Sequence, residues 1–396
     1  MDATRQRRVL ATTLALFILS LCISILFRDF QAPECTENVR GPVGTQVLIN
    51  CDSAQIVQDS QDLQRLVNAQ TSYQDRPLFP IMGFLLSKPL KDVTKSYEIF
   101  YNKDGKPIKF FYANYLAFIG INFLILFFIW HQLVSLLERL RSRKPMTFRD
   151  ELLIGISVGS VLIANNVFKG FFWTPHTQLF NILIVILSIN LWLDLESGNF
   201  KHRSKLHFFL NGLLLFFYPM FVVLYLLPLI YTWRRYLLPT FLSISPYLAY
   251  PLMFQTFGGT YRNAAVEDFN GFVWVLDLGR EPRILIDKLE IFFTPIAQLI
   301  VPTSLLLAIA FLASLKSNLD LGHVNKYLIF LFFFALFIFL MGYSGPRLIF
   351  PLIAALTIFA VLKVFPNLDA RHKIYLGFGI TIIYLTNFFL TQGPLS

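Results

Sequence analysis

Charge is scarce in this chain. Only 15% of its 396 residues are Asp, Glu, Lys or Arg, and 24 are acidic, against about 25% charged in an ordinary soluble domain. That scarcity argues against a water-facing globular enzyme. Cysteine is equally sparse at 3 residues, too few for a disulfide-stapled scaffold or a four-cysteine zinc site. The 6 His residues form no HExxH pattern, and neither GxxxxGKS/T nor GxGxxG occurs. A zinc hydrolase and a nucleotide-driven engine therefore have no motif to rest on. No N-x-S/T sequon is present, which fits a bacterial plasma-membrane protein.

What the chain has in abundance is apolar length. Hydrophobic residues make up 55% of it, and mean hydropathy is +0.58. Apolar runs of roughly 17 to 25 residues, each long enough to cross about 30 Å of hydrocarbon as a helix, recur along most of the sequence. The fold expected is an all-α polytopic membrane protein, one membrane domain over residues 1–396.

The first run, Val9 to Phe27, follows Arg5, Arg7 and Arg8 and has no small-residue cleavage site before Arg28. It reads as a retained span rather than a signal peptide. The formal net charge of +10 sits mainly in short loops such as "ERLRSRKPMTFRDE", "ESGNFKHRSK" and "PNLDARHK". Positive-inside bias puts those loops and the N-terminus in the cytoplasm and the C-terminus outside, and nucleic acid is not needed to explain the charge. Residues 28–109 and 258–290 then form two exterior segments carrying short amphipathic helices. The run "LHFFLNGLLLFFYPMFVVLYLLPLIYTWRRY" is too long for one upright span and is expected to break at Tyr218-Pro219 into two short helices. About eleven crossings follow.

The exterior segments hold the polar chemistry. The first carries Asp29, Asp52 and Asp75; the second carries Tyr261, Arg262 and Asp268. A partly shielded carboxylate can act as general base toward a hydroxyl, and arginines can hold a phosphate by bidentate bonds. Asp52 opens "DSAQIVQDSQDLQRLVNAQ", where Ile56, Leu63, Leu66 and Val67 recur at near-helical spacing. An interfacial amphipathic helix is expected there, with Asp52 in its acidic N-terminus or as its N-cap. His176 in "WTPHTQ" is either a site contact or an interfacial histidine anchored beside Trp173. Cys35 and Cys51 share the first exterior loop, where they can pair as a disulfide or remain free thiols. Asn122, Asn165, Asn166, Asn181, Asn190 and Asn211 are expected to bond between helices.

Three stretches carry a resemblance: "RPLFPIMGFLL" from Arg76, "LNGLLLFFYPMFVVLYLLPLIYTWRRYLLPTFLSISPYLAYPLMF", and "GYSGPRLIFPLIAAL" with Arg347 and Pro351. In this order, after a first span and a long acidic exterior loop, they resemble the GT-C superfamily of polytopic glycosyltransferases. The family's adjacent acidic pair is absent, because Asp52 is followed by Ser53, and Asp29 and Asp75 stand as rival bases.

The resemblance implies a GT-C-like bundle that transfers a sugar from a polyprenyl-phosphate donor to a glycan or lipid hydroxyl on the extracytoplasmic face. Arg347, Arg262, Lys169 and Arg76 would contact the donor phosphate or lipid, while His176, Tyr261 and Asp268 would contact substrate. Membrane lipids surround the site. No cofactor is implied, and a divalent metal finds no ligand set in the sequence. The rival readings are a flippase or transporter of lipid-linked sugars, a polymerase or ligase using the same donors, and a non-enzymatic scaffold.

Overall fold

The computed structural model describes Ile18 and residues 36–40, 46–67, 73–101, 107–143, 146–256, 274–275, 277–279, 281–290, 292–294, 324–340 and 346–390. Asp29, Cys35, Tyr261, Arg262 and Asp268 lie outside the described residues. The architecture is helical, with two small antiparallel hairpins. Strand β1 (Thr36–Arg40) pairs with β2 (Gln46–Asn50), and β3 (Tyr97–Tyr101) with β4 (Pro107–Phe111). In the first hairpin Thr36 faces Asn50, the residues next in sequence to Cys35 and Cys51. In the second, the Tyr97 and Phe111 rings meet across the strands at 5.5 Å, a cross-strand aromatic pair that fixes register.

Between the hairpins run α1 (Cys51–Gln61), the short α2 (Gln64–Val67) and the apolar α3 (Leu78–Leu90). The bundle then continues with α4 (Tyr112–Arg143), α5 (Phe148–Ile163), α6 (Asn166–Phe171), α7 (Phe180–Glu196), α8 (Phe200–Leu215) and α9 (Leu226–Thr256). It closes with α10 (Val324–Leu340), α11 (Pro346–Val364) and α12 (Ala370–Leu390). Among the described residues, four helical stretches are long and apolar enough to cross a membrane: Tyr112–Arg141, Thr177–Glu196, Pro219–Met253 and Leu348–Asn367. These mark a membrane protein.

The long run breaks where its proline stands. Tyr218 is extended at φ −159 and ψ 110, and Pro219 opens a 3-10 turn over Pro219–Tyr225. Proline has no N–H to donate and its ring crowds the preceding turn, so helix α8 cannot continue through it. A second irregularity, Thr232 at φ −157 and ψ 77, kinks α9 just ahead of Trp233, Arg234 and Arg235.

Polar pairs sort to two ends of the bundle. At one end Arg139 reaches Asp194 at 3.2 Å, Lys363 reaches Glu196 at 3.5 Å and Lys373 reaches Asp150 at 3.1 Å. These contacts join the basic loops to one another, and the end is called basic below. Helix α5 starts there with a reciprocal capping box between Thr147 and Asp150. At the opposite end lie the start of α4, the 172–178 connection, Tyr218 and the last turn of α12.

The interior is aromatic and tightly spaced. Trp192, Tyr327 and Phe359 bring α7, α10 and α11 together, with Tyr327 stacked on Phe359 at 4.7 Å. Phe79 of α3 meets Phe118 of α4 at 5.0 Å, and Gly83 makes room on α3 for the tip of the Phe118 ring. A Cβ at Gly83 would come within 2.3 Å of the Phe118 ring. Small residues permit such approaches where hydrophobic exclusion adds little between lipid-facing helices.

Two outcomes follow from this packing. Because Phe118 is fully buried beside Phe79, Gly83→Ala should destabilise the fold by about 1–3 kcal/mol of overpacking. Adding Phe118→Leu should recover much of the loss, read as detergent-solubilised thermal unfolding. The second concerns Asp150. Burial alone would raise its pKa, but Lys373 and Thr147 outweigh that and hold it below the ordinary 3.8. Its stabilising contribution is therefore present above pH 3.8 and is lost as pH falls through the lower folded value. Asp150→Asn should remove that acid-side component from a stability-versus-pH curve.

Candidate functional site

Helix α1 is held on most sides rather than floating at an interface. Ser53, Ile56, Val57, Asp59 and Ser60 are buried, and Asn114 of α4 donates to Ser60 O at 3.2 Å and Ser60 Oγ at 3.0 Å. Arg65 closes on Asp59 at 3.0 Å. The single amphipathic helix expected here is divided: α1 ends at Gln61, Leu63 lies between α1 and α2, and Val67 is exposed, while on α1 Ser53 and Ser60 are buried along with Ile56 and Val57. Asp52 is also not the N-cap, because the helix already opens at Cys51. It lies in the first turn with its side chain 50% exposed, where the positive end of the helix dipole favours a carboxylate.

His176 comes to Asp52 from a different part of the chain. Its Nε2 stands 3.9 Å from Asp52 Oδ2. Its Nδ1 accepts the Gln178 backbone N–H at 3.2 Å, which in the neutral ring leaves the proton on Nε2, facing the carboxylate. The ring is buried and packs on Phe171 at 4.6 Å. The irregular backbone that carries it is tied to α4. Asn122 Nδ2 donates to Phe172 O at 2.7 Å and Thr174 O at 3.0 Å, and Tyr115 Oη donates to Trp173 O at 3.0 Å.

Arg76 forms the neighbouring clasp. Its Nε donates to Asp75 Oδ2 at 3.2 Å and its Nη1 to Thr177 Oγ1 at 3.2 Å. Tyr73 and Tyr218 place their rings under the guanidinium at 5.3 and 5.7 Å, a cation–π arrangement strengthened by desolvation. Burial by itself would lower the Arg76 pKa, but the Asp75 carboxylate, with Tyr73 and Tyr218, raises it above its ordinary value. Leu78 N–H donates to Phe216 O at 3.2 Å, which fixes the clasp to the break after α8. Tyr250 of α9 lies within electrostatic reach of Asp75.

The structure thus brings Asp52, Asp75, Arg76 and His176 to the end opposite the basic loops. Lys169 is at that end too, but it donates to Phe388 O at 3.0 Å and lies over the Phe388 ring, where it satisfies a carbonyl of the last turn of α12. Arg347 occupies the second position of α11. Thr177, Tyr73, Tyr218 and Tyr250 were not among the sequence candidates. Only Thr177, beside His176, and Tyr218, before the helix-breaking proline, carried a local signal.

Asn122, Asn165 and Asn211 serve broken backbone, and the side chain of Asn166 lies outside the described residues. Asn190 does bridge, donating to Gln132 O at 2.9 Å and Oε1 at 3.1 Å. Asn165 instead caps α6, Asn181 bonds Gln178, and Asn211 reaches Phe221 O in the 3-10 turn. An unwound carbonyl in an apolar interior costs more than a missing interhelical contact, so the amides go there first. The string Gly155-Ile156-Ser157-Val158-Gly159 matches the GxSxG pattern of serine hydrolases, yet it lies inside α5. Ser157 Oγ donates to Leu153 O at 2.7 Å, and the helix packs there against Gly377, so no strand-to-helix elbow presents a nucleophile. Among the described residues no group of three or more His, Cys, Asp or Glu could hold a metal ion.

Comparison with protein-family models, curated proteins and solved structures gives no match.

The clasp predicts an asymmetric mutational response. Arg76→Met, which leaves Asp75 buried without its guanidinium, should cost about 3–5 kcal/mol. The double variant Asp75→Asn/Arg76→Met should cost clearly less, and a double-mutant cycle on thermal stability measures the difference.

Proposed function

We propose that this chain is a membrane glycosyltransferase that moves a sugar from a polyprenyl-phosphate donor to a glycan or lipid hydroxyl at the extracytoplasmic membrane face. The observation that supports it is the convergence of a half-exposed carboxylate, Asp52, with buried His176 and partly buried Arg76 at the end opposite the basic loops. On the positive-inside rule the basic end is cytoplasmic and this site exterior, in a bacterial plasma membrane.

Asp52 is the general base. It takes the proton of the acceptor hydroxyl as the oxygen attacks the anomeric carbon. The new glycosidic C–O bond forms while the bond from the anomeric carbon to the lipid phosphate oxygen breaks, and that oxygen keeps the electron pair. His176 Nε2–H faces Asp52 and helps to position it. Arg76, already engaged by Asp75 and Thr177, holds the site's shape, and Asp75 is its counter-ion rather than a second base. The leaving phosphate then falls to Arg347 at the start of α11 and to Arg262 of the second exterior segment, with Tyr261 and Asp268 as sugar contacts. Cationic side chains meet the charge that develops on a phosphate already present in the donor, and no nucleotide-binding domain or cofactor is called for.

The test is sugar transfer in proteoliposomes supplied with a panel of polyprenyl-phosphate sugars. Wild type should form a new glycosidic bond. Asp52→Asn should lower the rate about 10²–10⁴-fold, the usual weight of a general base, with donor binding retained. His176→Asn should give a smaller loss and a shifted pH profile. Movement of lipid-linked sugar across the bilayer without a new glycosidic bond would replace this reading with a flippase.

A further inference from the structure

A groove of about 550 Å³ runs between α8 and the second half of α9, within the range of about 300–1,000 Å³ typical of small-ligand sites. It starts at the basic end. Ser204, Lys205 and Arg235 form its mouth, and Phe216 marks its far end. From Ser204 to Phe216 the helix rises about 18 Å at 1.5 Å per residue, slightly more than half of the roughly 30 Å hydrocarbon core. The groove therefore runs about 18 Å from the basic end toward the break after α8.

Its floor and walls have separate origins. Gly212 backs directly onto α9, where a Cβ would come within 2.8 Å of Ser243 O, so the helices touch along this line. Phe208 against Tyr236 at 5.9 Å and Phe216 against Tyr247 at 5.4 Å complete a closed floor. The walls are the exposed Leu213 and Leu242 with Pro239 and Pro246. Proline at 239 and 246 removes N–H groups from that side of α9, and Ser245 Oγ donates to the Leu242 carbonyl at 3.0 Å. The result is a dry apolar channel with its backbone largely satisfied.

The mouth differs from other exposed cations of the basic end, such as Arg149 and Arg371, in having the groove beneath it. Arg139, Lys363 and Lys373 each pair with a carboxylate. Lys205 and Arg235 are exposed and have no ion pair among the described residues, Arg235 resting only on the Tyr236 ring at 5.4 Å. Two uncompensated cations and a hydroxyl at the mouth of an apolar channel about 18 Å long match a phosphate above an acyl chain. We infer that this groove binds an anionic glycerophospholipid of the leaflet at the basic end, its headgroup phosphate on Lys205 and Arg235 and one acyl chain between α8 and α9. The inference rests on the basic end lying at a membrane boundary and is independent of the glycosyltransferase reading.

The full chain in detergent is titrated with dioleoylphosphatidylglycerol or dioleoylphosphatidylcholine, and bound lipid is counted by native mass spectrometry. Phosphatidylglycerol should bind about tenfold more tightly, from two basic side chains near one headgroup. Lys205→Gln/Arg235→Gln should erase that preference, and Leu213→Trp should expel either lipid by filling the channel. Arg149→Gln/Arg371→Gln, exposed charges of the same end off the groove, should keep it. Equal binding of the two lipids overturns the inference. So does a preference that survives Lys205→Gln/Arg235→Gln, one that is lost equally in the Arg149→Gln/Arg371→Gln control, or binding indifferent to Leu213→Trp.

Discussion

An apolar solvent offers no hydrogen bond to an unwound carbonyl, and in this bundle that constraint falls hardest on the connection between α6 and α7. The chain leaves the helix at Phe171 and does not settle into α7 until Phe180. Asn122 and Tyr115 of α4 take up the carbonyls of Phe172, Trp173 and Thr174, so the connection can exist only where α4 passes. Everything that follows from it, His176 opposite Asp52 and Thr177 under Arg76, inherits its position from those three hydrogen bonds. The same rule repeats at the second break, where Asn211 reaches Phe221 O and Leu78 N–H meets Phe216 O.

The two ends of the bundle solve opposite electrostatic problems. The basic end spreads its charge over exposed loops and neutralises part of it by pairs such as Arg139 with Asp194, each of modest energetic weight where solvent is near. The other end partly buries the Arg76 guanidinium and surrounds it with Asp75, Thr177 and two tyrosine rings. A buried pair of this kind adds little net stability against an apolar replacement, but it is costly to break by halves. Its value lies in fixing the relative placement of α3, the 172–178 connection and the break after α8, which is the rigidity a site with one half-exposed carboxylate needs.

Much of the framework was legible in the amino-acid order. The apolar runs, the break at Tyr218-Pro219 and the segregation of basic loops are one-dimensional signals, because chain length, proline chemistry and charge act locally. The candidate site was legible in part. Asp52, Asp75, Arg76 and His176 stood out as polar residues beside apolar runs, but nothing along the chain says that Arg76 would turn to Asp75 and Thr177, or that Lys169 would spend itself on the Phe388 carbonyl. The asparagines show the same limit: a polar amide in an apolar run announces a hydrogen bond, not its partner.

Local composition, then, determined by itself that this is a helical, membrane-suited chain, where its longest run must break, and which loops carry the positive charge. The tertiary structure alone decided that α1 packs on two faces, that Asp52 stays half-exposed in its first turn, and that His176 arrives beside it. The physical reason is that helix length and proline breaks depend on neighbours a few residues away. Burial of one carboxylate and exposure of another depend on which distant backbone needs a hydrogen bond, and that is settled only when the helices meet.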